Sequence, residues 1–155
     1  MSLLHEKVAI ITGAANGIGR AIAPCFAAKG ARVVVSDMDT AHGEALVATI
    51  AAFGGHAVFV RADVSIDSDM HGLFSRALEI CGGVQIMINN AGIEGDTAPI
   101  GDDDVATFDR VIDVNLRGIF LGMQAALTHK SKSGGGVILN VSSVAGLQGF
   151  ATLVL

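Results

Sequence analysis

The 155 residues include 10 basic and 15 acidic side chains, a formal charge of −5, with 51% hydrophobic and only 16% charged positions. That balance suits one folded domain with a sizeable core and excludes a disordered chain. The acidic charge and the lack of a basic run argue against nucleic-acid binding, and no apolar run is long enough to cross a membrane.

The first predicted element is a strand over Val8 to Ile11, followed by a glycine-rich turn and a helix from Ile18 to Lys29 that Gly30 closes. Pro24 falls inside that helix and predicts a kink. A second strand over Val33 to Val35 leads to Asp37, and a second helix runs from near Thr40 to Gly54-Gly55. Ala57 to Val60 is the third strand. The third helix starts near Ser65 or Asp67, either of which can cap it, and ends at Gly82-Gly83. Val84 to Ile88 is the fourth strand, and a long helix follows from about Asp103 to Thr128. The stretch Ser131 to Gly136 turns the chain into a fifth strand, Val137 to Val141. These strands are near-continuous runs of Val and Ile, the pattern of strands covered on both faces. Their alternation with helices implies parallel β-α-β units, an α/β fold with a doubly wound parallel sheet, and one domain over residues 1–155.

The long helix carries two apolar stripes. Val105, Phe108, Ile112, Leu116, Ile119, Met123 and Leu127 make one, and Val111, Val114, Gly118, Leu121 and Ala125 the other. One stripe can cover the sheet; the second needs a different partner. A homodimer or homotetramer through the helix Asp103 to Thr128 is therefore expected. Cys25 and Cys81 sit in apolar helical contexts and read as reduced core thiols. The histidines form no pair at metal-ligand spacing, so no metal site is expected. The N-terminus lacks a basic stretch leading into an apolar run, which predicts a cytoplasmic protein.

The chemistry lies in Thr12-Gly13-Ala14-Ala15-Asn16-Gly17-Ile18-Gly19, between the first strand and the first helix. Gly13 permits a tight turn, Gly17 lets backbone approach a pyrophosphate, and Gly19 lets the helix pack close to the strand. The free N–H groups and the dipole at the helix start favour phosphate. Asp37 ends the second strand, where a carboxylate can accept hydrogen bonds from an adenosine ribose and repel a 2′-phosphate. No Arg or Lys occupies Ala14 to Asn16 or Met38 to neutralise such a phosphate, which favours NAD over NADP.

With Gly13 and Gly17 three residues apart, and with Ala62-Asp63-Val64, Asn89-Asn90-Ala91-Gly92, Asn115 and Leu139-Asn140-Val141-Ser142-Ser143 following in order, the chain resembles the short-chain dehydrogenase/reductase family over essentially its whole length. The resemblance implies a Rossmann-type sheet in the order 3-2-1-4-5. It also implies hydride transfer between NAD and a small-molecule secondary alcohol or ketone. Gly13, Asn16, Gly17, Ile18 and Gly19 would line the pyrophosphate, Asp37 would hold the ribose, and Asp63 and Val64 would flank the adenine. Asn90, Ala91 and Gly92 would line the centre of the crevice, Ser143 would hydrogen-bond the substrate oxygen, and Asn115 would help hold a water in a proton relay.

The family also implies a Tyr-x-x-x-Lys segment, in which the tyrosine is the general acid/base and the lysine lowers its pKa. The chain has no tyrosine, and the family position, about thirteen residues past the serine, falls just beyond Leu155. The expectation is a chain truncated before that segment and before the C-terminal strands and helices, inactive alone but part of an enzyme. Two alternatives remain open: a non-catalytic nucleotide-binding or dimerisation module, and a methyltransferase using S-adenosylmethionine.

Overall fold

The computed structural model describes residues 2–96, 104–130 and 135–149. Five strands form one sheet: β1 (Val8–Thr12), β2 (Arg32–Asp37), β3 (His56–Arg61), β4 (Ile86–Asn89) and β5 (Val137–Asn140). All neighbours are parallel and the order is β3-β2-β1-β4-β5, the expected doubly wound Rossmann-type arrangement. β1 and the valines of β2 are buried throughout, which is why they read as unbroken apolar runs. β5 forms an edge, with Val137 and Leu139 exposed.

Helices α1 (Gly17–Ala28) and α2 (Thr40–Ala52) pack on one face against Ile11, Val33, Val35 and Ile88. Helices α3 (Asp67–Cys81) and α5 (Gly118–Lys130) cover the other, where Leu73, Phe74, Leu121 and Ala125 meet Ile10, Val34 and Met87. Burying each of the larger side chains contributes about 1.5–3 kcal/mol. Helix α1 continues through Pro24 to Ala28, so the proline does not end it.

Three local expectations change. Neither Ser65 nor Asp67 caps α3: the cap position is Ile66, without a side-chain cap bond. Cys25 is exposed rather than in the core, because α1 buries the stripe Gly19, Ala23 and Ala27, and Cys25 lies outside it. The long helix is not uniform: α4 (Val105–Ile112) passes into α5 through a π turn at Asp113–Arg117.

Of its two stripes, Val111, Gly118, Leu121 and Ala125 are buried, whereas Val105, Phe108, Leu116 and Leu127 are exposed. The helix start expected at Asp103, the turn expected from Ser131 up to residue 134, and Ala151 to Leu155 lie outside the described residues. Among the described residues, no helix is long and apolar enough to cross a membrane, and no three His, Cys, Asp or Glu side chains gather to hold a metal ion.

Candidate functional site

β1 and β4 are neighbours, yet the chain after β1 enters α1 on one face and the chain after β4 leads to α5 on the other. Strands that diverge this way leave a crevice beyond their carboxyl ends. The crevice has a volume of about 450 Å³. Gly13, Asn16, Gly17, Ile18, Asp37, Asp63, Val64, Asn90, Ala91 and Gly92 all line it, so residues spread over 80 positions of sequence meet at one end of the sheet. Of the other expected site residues, Gly19 is buried beneath the loop, and Asn115 and Ser143 follow the lining residues Val114 and Val141 by one and two positions.

The three glycines do different physical jobs. Gly13 has φ +61°, and a Cβ there would lie 2.7 Å from Ala91 Cα. A Cβ on Gly19 would lie 2.4 Å from the Gly13 carbonyl oxygen. Gly17 has φ +54° but faces open space. At Gly13 and Gly19 the loop, helix start and β4 end are therefore packed too closely for a side chain, while the backbone at Gly17 stays open. Asn16, at the cap position of α1, makes no side-chain cap bond. The Asn16 side chain therefore takes up none of the first-turn N–H groups.

The loop is pinned from β4. Asn90 Nδ2 donates to the carbonyls of Thr12 at 2.9 Å and Gly13 at 3.1 Å. Thr12 Oγ1 accepts the N–H groups of Asn90 at 3.1 Å and Ala91 at 3.2 Å, and donates to the Ile88 carbonyl at 3.3 Å.

Asp37 is held as firmly. Its Oδ2 accepts the Ala15 N–H at 2.9 Å and its Oδ1 the Asp39 N–H at 3.0 Å. Each oxygen keeps one further acceptor position. The neighbouring Asp39 carboxyl lies below its usual range, chiefly through the His42 backbone N–H and then the His42 ring.

Past β4, the Asn115 side chain grips one residue from both sides. Oδ1 accepts the Ile93 N–H and Nδ2 donates to the Ile93 carbonyl, both at 2.9 Å. Asn115 sits in the π turn, a local departure from α-helix often found at functional sites. Ser143 is exposed after β5, and its Oγ accepts the Ala145 N–H at 3.2 Å, leaving its O–H free to donate elsewhere.

A family model described as short chain dehydrogenase matches residues 7–155. The chain belongs to the short-chain dehydrogenase family. It is 42% identical over 147 residues to cis-4-hydroxycyclohexanecarboxylate dehydrogenase of Sinomonas cyclohexanicum, covering 94% of this chain and 58% of that protein. It is 40% identical over 148 residues to 2-(R)-hydroxypropyl-CoM dehydrogenase of Xanthobacter autotrophicus, covering 94% of this chain and 59% of the relative. Over 151 residues it is 44% identical to the maize sex determination protein tasselseed-2, covering 94% of this chain and 44% of that protein. The chain thus spans less than three-fifths of each of these relatives.

Within this short-chain dehydrogenase frame, the sequence reading missed the part played by Thr12 and the crevice contacts of Ile93 and Val114. Met38, already placed beside the ribose end because it follows Asp37 directly, does line the crevice. No signal existed for Thr12, whose partners lie more than 70 residues away.

Proposed function

We propose that this chain is the cofactor-binding part of an NAD-dependent oxidoreductase that interconverts a secondary alcohol and a ketone. One observation carries the reading: across a single crevice, a turn too tight for side chains faces the Asp37 carboxylate, which two backbone amides hold in place. The start of α1 suits a pyrophosphate held by Gly13, Asn16, Gly17, Ile18 and Gly19. The remaining acceptor positions of Asp37 suit adenosine ribose hydroxyls, and its charge repels a 2′-phosphate. Asp63 and Val64 flank the adenine, and Asn90, Ala91 and Gly92 line the middle of the crevice.

When bound, the nicotinamide supplies the hydride acceptor or donor. The Ser143 hydroxyl hydrogen-bonds to the substrate oxygen. Asn115 spends one N–H and one acceptor position on Ile93, and the second N–H and lone pair hold the relay water. Two of the relatives are named as dehydrogenases of hydroxy compounds, which supports an alcohol substrate.

The 155 residues contain no tyrosine to exchange the alcohol proton, which favours a second reading of this chain taken alone: nucleotide binding without turnover. Titration with NADH and NADPH tests the cofactor. NADH is expected to bind more tightly, and Asp37→Ala to erode the difference; tighter NADPH binding would overturn the assignment. Incubation with NAD and an alcohol panel tests the second reading, and turnover above background would refute it.

A further inference from the structure

A side chain outside the crevice lining bonds to one of its walls. The corner Ala62-Asp63-Val64 leads from β3 toward α3, and all three residues line the crevice. Two consecutive amides pin this corner. The Ala62 N–H donates to the Asp37 carbonyl at 3.2 Å, and the Asp63 N–H donates to Asp69 Oδ2 at 3.0 Å. Asp69 sits half-buried in the first turn of α3, outside the crevice lining. An acid there ordinarily serves its own helix. Here the cap position of α3 is Ile66, which makes no side-chain cap bond, and Asp69 reaches back to the corner instead.

The Asp63 side chain is aimed by a second contact. Its Oδ1 accepts both the N–H of Ser65 at 3.0 Å and the hydroxyl of Ser65 at 2.7 Å. Its Oδ2 has no hydrogen-bond partner among the described residues. The corner therefore offers the crevice a carboxylate oxygen beside the apolar Ala62 and Val64, which matches an exocyclic amino group on a flat, apolar ring.

We propose that Asp69 is a positioning residue for the adenine end of the crevice. It touches no cofactor; it fixes the Asp63 backbone and hence the carboxylate oxygen that receives the adenine amino group. This inference rests on the dinucleotide reading above. A carboxylate–amide bond is among the stronger neutral-pH contacts, and without it a half-buried N–H loses its partner and the corner shifts.

Calorimetric titration of the full chain with AMP, and separately with reduced nicotinamide mononucleotide, tests this. Asp69→Ala is expected to weaken AMP binding about tenfold, and Asp69→Asn, which keeps a neutral acceptor, about threefold. Neither substitution should change binding of the nicotinamide half. Asp67→Ala is the control: it removes an acid from the same helical turn whose ion-pair contact, at 3.6 Å, is with the exposed His71, and it should leave AMP affinity unchanged. Urea melts confirm that each variant is folded at the titration temperature, and Asp69→Asn reads the contact even where Asp69→Ala is unstable. Unchanged AMP affinity in the Asp69 variants, equal weakening of both halves, or an equal loss in Asp67→Ala would overturn the proposal. Failure of the unmodified chain to bind either nucleotide would instead overturn the dinucleotide reading, and this inference with it.

Discussion

At Gly13 and Gly17 one methyl group has two different consequences. Both positions have positive φ, but an added Cβ at Gly13 meets Ala91 backbone at 2.7 Å, whereas at Gly17 it meets nothing within 4 Å. Gly13→Ala is therefore expected to lower the unfolding free energy by about 2–4 kcal/mol, from left-handed strain plus overpacking, and Gly17→Ala by about 1 kcal/mol, from strain alone. Urea melts compare the two, and equal losses would contradict the packing argument.

Asp39 supplies a pH dependence. Its folded pKa is depressed below 3.8 through the His42 N–H and ring, so the contribution is in place above 3.8 and lost as pH falls through the lower folded value. The thermal midpoint of the unmodified chain should thus fall more steeply below 3.8 than that of Asp39→Asn, which keeps a cap without the titration. Parallel curves would refute this. The Asp37 acid was legible because it ends a strand. Its grip on Ala15 was not, because that amide comes from the β1 loop, 22 residues earlier.

The succession of α4, π turn and α5 shows what periodicity alone misses. A π insertion changes spacing, not residue type, so the apolar stripes read as one helix. The insertion places Asn115 where its amide clamps the Ile93 peptide from both sides. Asn115→Leu keeps the side-chain size but leaves that N–H and carbonyl without partners. A loss of about 2–3 kcal/mol in unfolding free energy is expected, together with weaker NADH binding, since Ile93 lines the crevice. Chemical denaturation and nucleotide titration check both; a loss under about 0.5 kcal/mol would sink the clamp argument. The same lesson holds at α3. Ser65 and Asp67 have the right chemistry for a cap, but Ser65 serves Asp63, and the cap position falls on Ile66.

At the scale of the molecule, the sheet order places β1 beside β4, and the crevice follows from that placement. The exposed helical face has a consequence in solution. Leu116 and Leu127 are each 63% exposed and Phe120 57%, on a helix whose opposite side is buried in the core. Such a surface is expected to pair with a second copy of the chain. Sedimentation velocity should show a dimer or tetramer at micromolar concentration, and Leu116→Glu with Phe120→Glu should shift it to monomer while leaving NADH affinity in place. A monomeric unmodified chain would remove the argument.

Local pattern was enough for the fold class, the strand positions, the glycine turn and the acid at the end of β2. Those depend on side-chain periodicity and on backbone conformations that particular residues permit within a few positions. Folding alone decided that Thr12 and Asn90 staple the loop, that Asn115 closes on Ile93, that Asp69 reaches the corner before its own helix, and that Cys25 faces water. Most of these contacts join groups brought together by packing across the sheet and its helices, where a residue's partner is set by distance in space and not by distance along the chain.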